Sequence, residues 1–207
     1  MVVKHKTITM KTTLKQLILL IVLLLQAELQ AQPKTLWQPT GLVTLTNFGM
    51  PVLELSAIDG QVALMTGGAT GIGINHFITA VYGQWLISEN RFRVENQDLK
   101  LNFGHGGILL GYQAPTQGKV HGYGNLQIGW GRAKLKNTTN RQVIFKDDNL
   151  LVVNPVLGVH IQLIAYMKLH LTGGYRWVRG NALPIPGGTM LDSWTIRCTV
   201  VFHWQDQ

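Results

Sequence analysis

Apolar and polar residues alternate with a period of two along much of the chain after residue 48. The C-terminal segment shows this best, with one apolar face formed by Trp194, Ile196, Cys198, Val200, Phe202 and Trp204. The opposite face is polar except for Val201 and consists of Ser193, Thr195, Arg197, Thr199, Val201 and His203. Because successive side chains of a strand point to opposite faces, this pattern predicts β-strands with one face in an apolar environment.

Eight strands are predicted, at residues 50–58, 61–72, 77–88, 100–113, 120–134, 149–163, 167–178 and 192–204. After a tight hairpin turn at Asp59-Gly60, the connections alternate between short (73–76, 114–119, 164–166) and longer (89–99, 135–148, 179–191). Short turns on one side and longer loops on the other are typical of outer-membrane barrels. We therefore expect an all-β fold, an eight-stranded antiparallel up-and-down transmembrane β-barrel, following an N-terminal signal peptide.

Two features favour a membrane barrel over a soluble sandwich or lipocalin-like barrel. The polar face is small and rich in glycine and histidine, so it is a poor exterior for a water-soluble barrel. Aromatic residues also lie near strand ends, at Tyr82, Trp85, Tyr112, Trp130, Tyr175, Trp177, Trp194, Phe202 and Trp204. Aromatic rings favour the headgroup level of a bilayer. The main candidates for interfacial aromatics are Trp85, Tyr112, Trp130, Trp177, Trp194 and Trp204.

The first residues predict a secretory signal peptide rather than part of the fold. Four lysines precede an apolar run at 17–25, and a polar stretch then leads to Ala31. This run is far shorter than the roughly 20 residues of a membrane helix. We expect a signal peptide at 1–31 (with Met10 as a possible true start), a lead-in at 32–49, the barrel at 50–204 and a tail at 205–207. An uncleaved membrane anchor is the alternative.

Composition removes several classes of function. Charged residues make up 14% of the chain, there are 23 glycines, and Cys198 is the single cysteine. A single cysteine excludes an intramolecular disulfide framework. Cleavage after Ala31 leaves 14 basic and nine acidic residues, a net charge of +5 without a basic cluster in the sequence. The sequence therefore gives no reason to expect a nucleic-acid partner.

Several motifs resemble those of the small outer-membrane β-barrel proteins of Gram-negative bacteria. They are the glycine-rich stretch 67–76, Gly104-His105-Gly106-Gly107 before Leu110-Gly111-Tyr112, Asn154-Pro155, and residues 173–178. The C-terminal strand also ends in an aromatic, like the signal that the outer-membrane insertion machinery reads. The resemblance covers residues 48–204 and implies a barrel in the outer membrane, but it supplies no activity.

Residues 62–73, VALMTGGATGIG, resemble the cofactor loop of short-chain dehydrogenases. In that family a helix follows the glycines and binds the pyrophosphate at its N-terminus. Here a β-rich segment follows, and no tyrosine is followed four residues later by lysine. We therefore interpret these glycines as part of a strand that packs against neighbouring backbone in a narrow barrel, and we expect no cofactor.

Inward-facing polar residues are predicted to form a network in the lumen, comprising Glu54, His160, Lys168, His170, Arg176, Arg197 and His203. Because an isolated charge is costly in such an interior, we expect Glu54 to pair with one or two of the basic residues. The seven histidines show no zinc-motif spacing, so neither a metal site nor a catalytic residue is predicted.

The function predicted from the sequence is a structural or surface-interaction role for a monomeric outer-membrane barrel in contact with outer-membrane lipids. The loop residues Arg91, Arg93, Lys134, Lys136 and Arg141 are candidates for contact with anionic headgroups, and the alternative is that they are ordinary solvated loop charges. A lipid-modifying acyl hydrolase or transferase is one alternative, with Ser88 near Glu89 and Ser193 near Asp192 as its weak candidates. A soluble periplasmic lipid binder is another. A wide pore is not expected, because side chains fill eight-stranded barrels.

Overall fold

The computed structural model describes residues 44–94, 97–115, 118–139, 142–164, 166–180 and 191–204. They form nine strands: β1 (Leu45–Ile58), β2 (Gln61–Ile74), β3 (Phe77–Leu86), β4 (Arg91–Val94), β5 (Gln97–Gln113), β6 (Val120–Asn137), β7 (Val143–Ile164), β8 (Met167–Arg179) and β9 (Ser193–Trp204). Within these residues, no helix has both the length and the apolar character needed to cross a membrane. The predicted signal peptide, most of the predicted lead-in and the C-terminal tail lie outside the described residues.

The strands form one closed antiparallel barrel. Neighbouring strands pair around the sheet, β1 pairs with β9, and β3 pairs with β5. The wall therefore contains eight long strands, while the short β4 pairs with the start of β5 outside the ring. This confirms the predicted eight-stranded antiparallel barrel.

The two ends of the barrel differ. We call the end with connections at 59–60, 87–96, 138–142 and 180–192 the loop end, and the end with 75–76, 114–119 and 165–166 the turn end. At the loop end, Asp59 and Gly60 have positive φ values of 49° and 72°. Two such residues suit a type I′ hairpin, whose twist matches the twist of the strands. The tight turn predicted at this dipeptide is confirmed.

Strand boundaries agree with the prediction to within a few residues, with informative exceptions. Strand β1 begins at Leu45, inside the predicted lead-in. The predicted loop 135–148 is wrong for most of its length, because β6 continues to Asn137 and β7 starts at Val143. The predicted loop 89–99 likewise contains β4 and the start of β5. The reason is that backbone pairing continues beyond the apolar section into polar, exposed hairpins.

The glycines of the dehydrogenase-like motif lie inside β2. Gly67 and Gly71 point into the barrel, and a Cβ at either one would collide with the backbone of β3, at Gly83 and Thr79 respectively. The chain continues from β2 into the two-residue turn 75–76 and then β3, with no helix. The structure thus supports the interpretation of these residues as a close-packed strand.

The outside of the barrel is apolar. We call its exposed apolar side chains the apolar belt, which includes Leu53, Leu55, Val81, Ile108, Leu110, Ile128, Leu151, Leu157, Leu171 and Ile196. Cys198 also faces outward, as its strand register predicted. A soluble barrel requires a polar exterior, so the belt contradicts the lipocalin-like alternative and is typical of a transmembrane barrel.

Exposed aromatic rings lie at both margins of the belt. The loop-end girdle contains Trp85, Trp130, Trp177 and Trp194, and Tyr175 contacts the last two at ring distances of 5.1 Å. At the turn end, Tyr112 packs on Phe77 at 5.2 Å, and Tyr166 is exposed. The prediction for Tyr82 was wrong: its ring is buried in the lumen, because it has the inward parity of β3. The side chain of Trp204 lies outside the described part of the structure.

Candidate functional site

A buried ion-pair group lies across the middle of the lumen. Glu54 of β1 receives hydrogen bonds from Arg176 Nη1 at 2.5 Å and from Arg197 Nε at 2.6 Å. All three residues are almost completely buried. Arg176 also donates to the carbonyl of Leu191 at 3.2 Å and lies 5.3 Å from the centre of the Phe103 ring. One carboxylate thus bridges two guanidinium groups, and the backbone and an aromatic face complete the surroundings of Arg176.

Apolar layers lie on both sides of this group. Toward the loop end, the outer apolar cluster fills the lumen with Ile58, Ala63, Met65, Phe92, Leu99, Leu101, Phe103, Ala133, Leu135, Leu150, Val152, Val178 and Leu191. Toward the turn end lies a second cluster, formed by Phe48, Met50, Ala69, Ile78, Ala80, Tyr82, Leu109, Tyr123 and Val201. The described lumen is therefore packed with side chains and shows no wide water-filled path.

The remaining residues of the predicted network form a separate group near the turn end, which we call the histidine cluster. The ring of His160 stacks on those of His121 and His170, at centroid distances of 4.5 Å and 5.4 Å. Lys168 and His203 lie nearby and line the same cavity as His170. The structure thus divides the seven predicted residues into a central group of three and a turn-end group of four.

Several polar residues of the lumen are not part of the network predicted from the sequence. Tyr82 contacts His105 Nδ1 through its hydroxyl at 3.3 Å. With the Asn154 amide oriented to satisfy its neighbours, its oxygen accepts a hydrogen bond from Arg197 Nη2 at 2.5 Å. Asp147, only 4% exposed, is buried near the loop end. Tyr82, His105 and Asn154 lie at positions of the predicted strands that alternation directs inward, so the alternation could have identified them. Asp147 could not be identified in this way, because it lies in a predicted loop.

Outward-facing cations form a patch just beyond the loop-end girdle. We call this patch the basic outer face; its members are Lys100, Arg132, Lys134, Lys136 and Lys146. The strand register places Lys100 opposite Lys136, and Lys134 opposite Lys146. Ala133 and Leu135 are buried, so Lys134 and Lys136, which alternate with them, face outward. Charges separated in the sequence are thus adjacent on three strands.

The hairpin β4–β5 carries exposed ion pairs beside this patch. Glu89 accepts from Arg91 at 2.7 Å and from Lys100 at 2.9 Å, and Arg93 pairs with Asp98 at 3.1 Å. The hydrogen bonds from Lys100 and Arg91 lower the pKa of Glu89 below its ordinary value of 4.5. At the β8–β9 connection, the hydrogen bond from Arg179 to Asp192 raises the pKa of the Arg179 guanidinium. Arg141 lies outside the described residues.

The two serines considered for acyl chemistry have structural partners. Ser88 Oγ donates to Asn90 Oδ1 at 2.6 Å and accepts from the backbone N–H of Leu64 at 3.0 Å. Ser193 Oγ donates to the carbonyl of Trp194 at 2.8 Å and accepts from the N–H of Ala57 at 2.9 Å. Their hydroxyls therefore join strand ends and loops, and the hydrogen bonds described for them involve no histidine.

Metal coordination is not supported in the described part of the chain. No group of three or more histidine, cysteine, aspartate or glutamate side chains is placed there to hold an ion. His121 and His160 stack nearly parallel, with 14° between their planes. Stacked rings direct their nitrogen lone pairs along separate planes, whereas a metal needs lone pairs that converge on one point.

Comparisons with known proteins support the fold. No protein-family model and no curated protein sequence matches the chain. Among solved structures, Neisserial surface protein A aligns with a TM-score of 0.53 at 14% identity, over 76% of this chain and 96% of that one. The N-terminal β-barrel domain of OprF from Pseudomonas aeruginosa aligns with a TM-score of 0.50 at 12% identity, over 79% of this chain and all of that one. The chain thus has the fold of the small eight-stranded outer-membrane β-barrels.

Proposed function

We propose that this protein is an outer-membrane barrel with a surface-interaction role, and that its basic outer face binds the phosphate groups of outer-leaflet lipids. The single observation that carries the proposal is the basic outer face itself, with Lys100, Arg132, Lys134, Lys136 and Lys146 side by side above the tryptophan girdle. The closed ring of eight strands exposes no unpaired edge within the wall, which supports a monomer.

The depth of these charges supports lipid contact. Trp130 and Arg132 both face outward on β6, and Trp85 pairs with Gly104, which itself pairs with Arg132. A strand rises about 3.3 Å per residue, so Arg132 lies roughly 7 Å beyond Trp130 along the strand. Tryptophan rings favour the headgroup level. This position just beyond the tryptophan rings supports contact between the cations and lipid phosphates.

The charge of the patch is large enough to change the affinity for anionic lipids measurably. A lysine or arginine near an anionic membrane surface contributes about 1 kcal/mol of attraction. Replacing Lys134 and Lys136 should therefore remove about 2 kcal/mol, or roughly a thirtyfold change in affinity. These two residues are the best targets, because they lie at the centre of the patch and face away from the lumen.

Binding of lipid A tests the proposal. The purified barrel is immobilised in a zwitterionic detergent, and its affinity for lipid A with both phosphates is compared with that for the dephosphorylated lipid. The wild type should prefer the phosphorylated form, and the K134Q/K136Q variant should lose most of that preference. The matched control is Lys119→Gln, which removes an exposed cation at the turn end. Equal binding of both lipids by the wild type would contradict the proposal.

A further inference from the structure

A small cavity opens at the turn end of the lumen. Its volume is about 70 Å³, and the strand-end residues Asn75, Gln113 and Lys168 lie among those that line it. One buried water needs roughly 10–15 Å³ of such space, so the cavity holds about five water-sized positions. We call it the mouth cavity. It is large enough for a small organic molecule.

The mouth cavity has two unlike walls. Strands β1 and β3 contribute an apolar wall that includes Phe48, Met50 and Ile78. Strands β8 and β9 contribute a basic wall with Lys168, His170 and His203. Among the described residues that line the cavity, none is acidic. A cavity with positive and apolar walls but no carboxylate fits an anion that carries a short apolar group.

His170 supplies an independent indication of a ligand. The side chain is 3% exposed, and neither ring nitrogen has a hydrogen-bond partner among the described residues. Its ring is held in place between Tyr123 at 4.4 Å and His160 at 5.4 Å. A buried polar atom without a partner costs free energy, so unpaired groups in native structures call for an explanation. Both nitrogens are covered by their neighbours in the barrel as it stands, so the imidazole must turn toward the mouth cavity before a ligand oxygen there can supply the missing partner.

The donor groups present fit a carboxylate. A carboxylate only accepts hydrogen bonds and requires N–H donors. The ammonium group of Lys168 carries three donors, and its recorded contact is a long one, 3.5 Å to the Gln113 side-chain oxygen. An imidazole N–H of His170 adds a second kind of donor. Charge-assisted hydrogen bonds of this type are stronger than neutral ones.

We propose that the mouth cavity binds a short-chain monocarboxylate from the side of the short turns. The carboxylate accepts hydrogen bonds from His170 and Lys168, and the alkyl group lies against Phe48 and Ile78. Butyrate, with a carboxylate and a three-carbon chain, has a size that suits this cavity. This site is at the opposite end of the barrel from the basic outer face, so the two proposals stand or fall separately.

Butyrate titration followed by nuclear magnetic resonance tests this proposal on the folded barrel. The full mature barrel is labelled with ¹⁵N-histidine, and the His170 ring signals are assigned as those missing in His170→Gln. Butyrate should shift the His170 signals in a saturable way, with a Kd in the millimolar range expected for so small a ligand. Butyramide has the same shape without the charge, and inorganic phosphate has the charge without the alkyl group. Both should bind at least about tenfold more weakly.

Variants locate the binding site. Lys168→Gln should weaken butyrate binding about tenfold, since it removes one charge-assisted interaction. Lys119→Gln removes an exposed lysine at the same end and should leave the affinity unchanged. Folding of each variant is checked by the difference in gel mobility between unheated and boiled samples. No saturable shift in the wild type, or equal responses to butyrate and butyramide, would overturn the proposal regardless of the variants.

Discussion

At the scale of single residues, the centre of the lumen depends on one carboxylate. Glu54 supplies one negative charge between two guanidinium groups that the fold has removed from water. A buried ion pair gains little over an apolar core in net stability, but removing one partner leaves an uncompensated charge behind. The group therefore makes the barrel sensitive to the loss of Glu54 in particular.

We expect Glu54→Gln to destabilise the barrel by about 3–5 kcal/mol, because Arg176 and Arg197 would remain buried without a counter-charge. Urea unfolding in lipid vesicles measures the free energy of unfolding. Glu89→Gln is the matched control: its carboxylate is 55% exposed and also binds two cations. Equal midpoints for Glu54→Gln and the wild type would show that the ion pairs contribute nothing to stability.

The exposed Glu89 gives a prediction for pH. Its pKa lies below 4.5 in the folded protein because Lys100 and Arg91 donate to it. The carboxylate therefore stabilises the β4–β5 hairpin above pH 4.5, and this contribution is lost as the pH falls through the lowered pKa. The carboxyl ¹³C signal of Glu89 should titrate below 4.5 in the wild type and closer to that value in Lys100→Gln. A midpoint unaffected by this substitution would contradict the assignment, and Lys119→Gln serves as the control.

At the scale of elements, close packing against β3 explains why the glycines of β2 belong to a strand and not to a cofactor loop. Gly71 lies opposite Ala80 of β3, and a side chain at Gly71 would collide with the Thr79 carbonyl. Gly83 on β3 faces the other way and has open space where its Cβ would be. The two positions have the same residue type and strand conformation but different surroundings.

Alanine at these two glycines should therefore have different effects. Gly71→Ala overpacks the wall and should cost about 1–3 kcal/mol in the free energy of unfolding. Gly83→Ala should change it by much less, because no atom lies within 4 Å of the added methyl group. For both variants, gel mobility measures the fraction that is folded after refolding into detergent. Similar losses in the two variants would show that glycine is needed here only for backbone freedom.

At the scale of the whole molecule, the middle of the barrel's outer surface is apolar, as a bilayer demands, while the buried charged residues lie inside. Leu157 is 75% exposed and lies on β7 between Leu151, which pairs with Trp130, and Leu163 near the turn end. Its position corresponds to the middle of the apolar belt. An added charge at this depth is a direct test of membrane placement.

We expect Leu157→Arg to cost about 2–4 kcal/mol in a bilayer, because arginine near the midplane of a barrel's lipid face is expensive. Thr139→Arg, at the exposed β6–β7 connection, should cost at most about 1 kcal/mol. Unfolding in vesicles gives both values. A small cost at Leu157 together with a large one at Thr139 would place the membrane elsewhere on the barrel.

These same residues show how much of the structure could be predicted from the sequence. The inward parity of Glu54, Arg176, Arg197 and His170 follows from alternation within single strands, as does the outward parity of Trp130 and Cys198. The strand ends were less accurate around 135–148, because polar hairpins extend the pairing without any apolar alternation to reveal it. The sequence shows that Lys134 and Lys136 are close together, but it does not show which residues of other strands lie beside them.

The sequence by itself determined the strand class, the inward and outward faces and the tight turn at Asp59-Gly60, since each depends on local period or backbone preference. Only the tertiary structure decided which inward residues meet. Glu54 and Arg197 are 143 residues apart and become neighbours because β1 pairs with β9 to close the ring. Likewise, register places Lys134 beside Lys146, and packing leaves the mouth cavity between Phe48 and His170. Contacts across a closed barrel depend on register and shear, which alternation within one strand does not encode.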